Sequence, residues 1–130
     1  MDERAKPRIL VVEDDPDLRT IVRLQLGSAG YEIREAENGA VGYEAIQQEV
    51  PDCVILDLMM PVMDGFGFLK RVRSSLTLQD VPVLILTANE DERNRTRGFQ
   101  YQADAYMSKP YDLQELTDEV ARLCTTPRMV

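Results

Sequence analysis

Short, mainly apolar runs recur along the chain, and four of them end in a polar residue. Ile9 to Val12 precedes Glu13 and Asp14, Cys53 to Leu56 precedes Asp57, Val83 to Leu86 precedes Thr87, and Ala105 to Ser108 precedes Lys109. Unbroken runs of this length read as strands buried on both faces of a parallel sheet. The pattern predicts strands over Arg8 to Glu13, Asp52 to Asp57, Pro82 to Leu86 and Ala103 to Ser108, with a weaker, more exposed one over Tyr31 to Ala36.

Between the strands the apolar spacing becomes helical. Asp15 as N-cap and Pro16 at the first position open a helix to Ala29, with Leu18, Ile21, Val22 and Leu26 inward and Gly30 ending it. Asn38 caps a second helix to about Glu49, with Val41, Ala45 and Ile46 as its stripe, and Pro51 stops it. Asp64-Gly65 opens a third, turning Phe66, Leu69 and Val72 inward. Asn89 with Glu92 resembles a capping box for a helix to about Tyr101, and Asp112 with Glu115 repeats it for a last helix to about Cys124.

Strands alternating with helices of this length make a doubly wound α/β domain. In such a sheet the ligand crevice lies at the carboxyl ends of the strands, so Glu13, Asp14, Asp57, Thr87 and Lys109 are expected at one site. Carboxylates, a hydroxyl and an ammonium together suit a divalent cation plus a phosphoryl group.

Composition narrows the functional classes. A chain of 130 residues, 44% hydrophobic and 29% charged, fits one soluble domain. Membrane-length apolar stretches are absent, and Met1 to Arg8 is charged with no apolar core behind it, unlike a signal peptide, so a cytoplasmic location is expected. The net charge of −8 argues against direct binding of nucleic acid and suits cation binding. Histidine is absent, which removes histidine metal sites, serine–histidine nucleophiles and a histidine phosphocarrier. Cys53 and Cys124 are far apart without CxxC spacing and read as reduced packing residues.

Four motifs in order, Ile9-Leu-Val-Val-Glu-Asp-Asp15, Asp57-Leu-Met-Met-Pro-Val-Met-Asp-Gly65, Leu86-Thr-Ala88 and Tyr106-Met-Ser-Lys-Pro110, carry a resemblance. The chain resembles a response-regulator receiver domain of two-component signalling over residues 8–124, with 1–7 and 125–130 as short tails. The resemblance implies a flavodoxin-like (βα)5 fold with strand order 2-1-3-4-5. It implies that Asp57 takes a phosphoryl group from a phosphohistidine on a sensor histidine kinase or phosphotransfer protein, forming an acyl phosphate. A carboxylate at a strand end is exposed to an incoming donor, which suits that role.

By the same resemblance Asp14 and Asp57 ligate Mg²⁺ directly, Glu13 acts largely through water and Met59 contributes its backbone carbonyl. Lys109 is aimed at the phosphoryl oxygens by a cis bond to Pro110, Thr87 donates to a phosphoryl oxygen, and Tyr106 changes rotamer as Thr87 moves. The changed surface of the fourth predicted helix, fifth strand and last helix would engage a downstream effector or output domain. Such a protein is not an enzyme beyond its own phosphorylation and dephosphorylation. No output domain is visible, and a stand-alone regulator and an excised receiver fit equally.

Several residues have plainer readings. Asp15 and Asp64 read as helix caps, Met59, Met60 and Met63 as loop packing, and Tyr106 as strand packing if it does not switch. Gln102 stands where the family often has glycine before Ala-Asp, and a left-handed conformation there costs about 1–2 kcal/mol, so the helix end is expected to differ locally. Asp104-Ala-Tyr106 and Leu116-Thr-Asp-Glu119 depart from the winged-helix branch, which bears on that branch's dimer salt bridges. A haloacid-dehalogenase-type phosphatase would need an acid where Met59 stands, and a flavodoxin-like electron carrier would not need Lys109 and the acidic pair. A phosphate-independent pseudo-receiver, acting as a protein-binding module, is the main alternative.

Overall fold

A computed structural model of the protein describes residues 6–58, 64–87, 96, 99, 100, 102–109 and 111–125. Five strands, β1 (Arg8–Val12), β2 (Glu32–Ala36), β3 (Cys53–Leu56), β4 (Val83–Thr87) and β5 (Ala105–Ser108), form one parallel sheet in the order β2-β1-β3-β4-β5. Four helices are described along their length: α1 (Pro16–Ser28), α2 (Gly39–Gln48), α3 (Gly65–Ser74) and α4 (Leu113–Thr125). The ends expected for α1, α2 and α4 and the start expected for α3 fall within two residues of those observed. Thr96, Phe99 and Gln100 are helical, but the Asn89–Glu92 capping box lies outside the described residues.

Strand side chains alternate between faces, and the core splits accordingly into two layers. Leu10, Val12, Val54, Leu56, Val83 and Ile85 pack with Ala45 and Ile46 of α2 and Phe68, Leu69 and Val72 of α3. Ile9, Val11, Cys53, Ile55, Leu84 and Leu86 face the other way, onto Val22 and Leu26 of α1 and Leu116, Val120 and Leu123 of α4. Both faces of the three inner strands are thus covered, which is why their sequences are unbroken apolar runs. Edge strand β2 is charged, and its Glu35 pairs with Arg19 at 3.4 Å and Arg23 at 3.1 Å.

Two expected core positions face outward. Ile21 is 44% exposed and Val41 39% exposed. In α2 the cause is Gly42, where an added Cβ would stand 2.9 Å from Val12 Cγ2. The helix lays this glycine against β1 together with Ala45 and Ile46, and the rotation leaves Val41 on the flank. In α1 the buried stripe is only Val22 and Leu26, one turn apart.

Gln102 corrects a further expectation, since it adopts the left-handed conformation itself, with φ 67°. Arg73 of α3 holds it there. The guanidinium donates to the Gln102 carbonyl at 3.0 Å, to the Val81 and Gln79 carbonyls at 2.6 and 3.1 Å, and to Asp104 Oδ2 at 2.8 Å.

Candidate functional site

Each candidate side chain stands at or just after the carboxyl end of a strand, and backbone hydrogen bonds carry the sheet pattern into these segments. The Glu13 amide donates to the Ala36 carbonyl at 3.0 Å, the Asp57 amide to Val12 at 3.0 Å and the Lys109 amide to Thr87 at 2.9 Å. This brings Glu13, Asp14, Asp57, Thr87 and Lys109 to one edge, as the strand order requires. Carboxylate oxygens of Glu13, Asp14 and Asp57 all lie within 4.8 Å of one another. Asp14 is exposed, whereas Glu13 and Asp57 are each only 6% exposed. The expectation of an exposed Asp57 is therefore corrected: the carboxylate, at the end of β3 between β1 and β4, is almost wholly buried.

Lys109 Nζ donates to Glu13 Oε1 at 2.6 Å and stands 3.7 Å from Asp57 Oδ2. Burial, followed by the neighbouring Asp57 carboxyl, pushes the Glu13 pKa up to about 7, overcoming the opposing effect of the Lys109 ammonium. The three clustered carboxylates form a set of hard oxygen donors suited to a small divalent cation. Met59 lies outside the described residues, as does Pro110 with the expected cis bond.

Thr87 is fully buried at the end of β4, paired in register with Ser108, and Ile85 is paired with Tyr106. Alternation along the strands puts Thr87 and Tyr106 on the same face of the sheet as diagonal neighbours. Tyr106 is half-buried against the α2/α3 layer, and its ring centroid lies 6.3 Å from that of Phe99.

Asp15 is the N-cap of α1, its carboxylate accepting from the Asp17 and Leu18 amides, and Asp64 caps α3 through the Gly67 amide. Two supporting residues had escaped the sequence reading. Arg19 donates to the Glu13 carbonyl at 2.7 Å and the Asp14 carbonyl at 3.3 Å, fixing the acidic loop from α1. Its place one turn into a helix after the acidic run was the available signal. Gly65 approaches the Asp57 carbonyl so closely that an added Cβ would stand 2.5 Å away, so it does more than open α3.

Residues 9–121 match the response regulator receiver domain family. The DNA-binding dual master transcriptional regulator RpaA of Synechocystis is 39% identical over 90% of this chain and 48% of its own length. The chain thus spans about half the length of this curated relative. Among solved structures, chemotaxis protein CheY4 of Vibrio cholerae is 31% identical with a TM-score of 0.86, covering 92% of this chain and 99% of that one. The receiver domain of a Pseudomonas aeruginosa sensor histidine kinase, solved with magnesium in its active site cleft, is 28% identical with a TM-score of 0.87, covering 94% of this chain and 100% of that one.

Proposed function

The chain belongs to the response regulator receiver domain family, and from this premise we propose that it is a phosphoacceptor switch with Asp57 as the acceptor. The supporting observation is that Asp57 shares one strand edge with two further carboxylates within 4.8 Å and with the Lys109 ammonium at 3.7 Å. Asp57 attacks the phosphorus of a phosphohistidine on a sensor histidine kinase or phosphotransfer protein. The new O–P bond forms as the P–N bond breaks, and the imidazole leaves.

Asp14, Asp57 and Glu13, with the Met59 carbonyl, are the residues that would hold Mg²⁺. When bound, the ion offsets negative charge on the transferred group. Lys109 gives up part of its contact with Glu13 and turns toward the phosphoryl oxygens. Thr87 donates its hydroxyl to one of them, and Tyr106 on the same face follows into the space it leaves. The surface around β5 and the preceding and following helices then presents a different shape to an effector.

The chain is proposed to catalyse only its own phosphorylation and dephosphorylation and to work in the cytoplasm. No helix among the described residues is long and apolar enough to cross a membrane. At net charge −8 it is not proposed to bind nucleic acid directly, although RpaA, of which it spans 48%, is named for DNA binding.

Incubation with acetyl phosphate and Mg²⁺, followed by intact mass, should add one phosphoryl group to the wild type and none to Asp57→Asn. Equal labelling of both would remove Asp57 from the mechanism. Beryllofluoride with Mg²⁺ should shift amide resonances through β5 in the wild type and less so in Thr87→Ala. Shifts confined to the loop beside Asp57 would favour a pseudo-receiver.

A further inference from the structure

In this chain of net charge −8, every described arginine but one pairs with a carboxylate, as Arg73 does with Asp104 and Arg34 with Glu49. The exception is Arg71. Its guanidinium lies over the ring of Tyr43, 5.2 Å from the centroid, and so bridges the exposed side of α3 to α2. Lys70 beside it is also exposed and has no carboxylate partner among the described residues. The two cations line a cavity of about 430 Å³ between α2 and α3 with Tyr43, Ser74 and Ser75, and no carboxylate stands on its wall.

We propose that this cavity binds the phosphate group of a small organic phosphomonoester. Stacking on Tyr43 leaves the guanidinium N–H groups directed outward in their own plane, the arrangement that grips two oxygens of an oxyanion. The same contact holds Arg71 in place before a ligand arrives, which lowers the ordering cost of binding. Lys70 adds a second positive charge. Two cations match a phosphate dianion, whereas a single carboxylate would offset only one of them. The volume falls in the range of small-molecule sites, about 300–1,000 Å³, and leaves room beyond the phosphate for an organic portion.

The end of α3 is adapted to an anion. A helix carboxyl end ordinarily repels negative charge through its free carbonyls. Here the Ser74 hydroxyl donates to the Lys70 carbonyl at 2.8 Å and the Ser75 amide to the Val72 carbonyl at 3.2 Å, so both carbonyls are satisfied within the chain. In the Ser75–Thr77 bond at 3.1 Å either hydroxyl can donate, so Thr77 can serve as donor and leave the Ser75 proton for a phosphoryl oxygen. The excess negative charge of the chain repels a polyanion more than a single phosphate, which favours a small molecule over a strongly acidic protein. The cavity is separate from the acidic cluster. Gly65 starts α3 against the Asp57 carbonyl, and Arg71 and Ser74 lie about 9–14 Å further along the helix axis.

The test records amide NMR shifts of the whole chain, without Mg²⁺ and at low ionic strength, during addition of adenosine 5′-monophosphate or glucose 6-phosphate. Both should give saturable shifts at Tyr43 and Lys70 to Ser75, and adenosine and glucose should give none there. Inorganic phosphate should saturate the same residues less tightly, and equal or tighter binding of it would overturn the assignment to an organic phosphate. Arg71→Ala and Lys70→Ala, both at exposed positions, should each weaken binding about tenfold, and Lys70→Arg should retain it. Circular dichroism checks that each variant stays folded. Unchanged affinity in Arg71→Ala, no saturable shift at millimolar ligand, or shifts centred on the segment around Asp57 would overturn the proposal. Tighter binding of a hexaglutamate peptide than of either phosphomonoester would also overturn it, in favour of an acidic protein partner.

Discussion

Lys109 donates to Glu13 at 2.6 Å while standing 3.7 Å from Asp57, so a single ammonium from the β5 end holds carboxylates from the β1 and β3 ends. Both members of the closer pair are largely buried, at 14% and 8% side-chain exposure. Removing one partner of such a pair leaves an uncompensated charge and typically costs about 3–5 kcal/mol. Lys109→Ala is therefore expected to lower metal-free stability by about 3 kcal/mol, and Mg²⁺ should restore more stability to the variant than to the wild type. Urea unfolding with and without Mg²⁺ measures both quantities. Equal Mg²⁺ responses in the two proteins would separate Lys109 from the cation site.

Stability should also fall with rising pH across the range where Glu13 loses its proton. Burial first, and Asp57 second, raise its pKa from 4.5 to about 7. The folded state binds that proton more tightly than the unfolded chain. The associated stability is complete below about pH 4.5 and is lost as pH rises through about 7. Glu13→Gln should flatten this part of the profile, and Mg²⁺ should flatten it in the wild type by stabilising the ionised form. Urea midpoints at several pH values test the slope. A wild-type profile no steeper than that of Glu13→Gln would contradict the assignment.

Gln102, at φ 67°, occupies a conformation that glycine enters without a Cβ penalty. Gln102→Gly is expected to stabilise the protein by about 0.5–1 kcal/mol, the relief of left-handed strain less the greater freedom of unfolded glycine. Arg73→Ala should act in the opposite direction, by about 3 kcal/mol, because it leaves the largely buried Asp104 without its guanidinium. Denaturant unfolding of both variants decides the point. A neutral Arg73→Ala would show that the backbone holds this turn unaided.

The sequence pattern made the strands, the caps and the convergence of polar residues legible because each has a local signature. An apolar run ending in Asp57 or Thr87 is visible in the chain, and so are Asp15 before Pro16 and Asn38 before Gly39. Contacts set by three-dimensional approach were not legible. Val41 and Gly42 exchange roles because α2 packs tightly on Val12, which helical periodicity alone cannot register. Cys53 at a strand start and Cys124 at a helix end join one apolar layer, with no spacing to announce it. Burial of Asp57 likewise depends on how closely neighbouring strand ends enclose it.

Gly65 gives the strictest test of how packing positions Asp57. An added Cβ would stand 2.5 Å from the Asp57 carbonyl oxygen and 2.6 Å from Leu58 Cα. Both are backbone atoms, so no side-chain rotation can relieve the clash, and the Gly65 amide bond to the Leu58 carbonyl at 3.0 Å ties the same segments together. Gly65→Ala should therefore displace the loop bearing Asp57 or the start of α3, with an overpacking cost of about 1–3 kcal/mol. A displacement near 1 Å at a reacting group can cost about a hundredfold in rate, so acetyl phosphate labelling should slow by roughly that factor. Gly27→Ala is the matched control, because nothing lies within 4 Å of its added Cβ and the helix gains up to about 1 kcal/mol. Labelling rates and urea midpoints measured on both variants separate the two effects. Wild-type labelling and stability in Gly65→Ala would mean that the close approach to Asp57 places no constraint on the site.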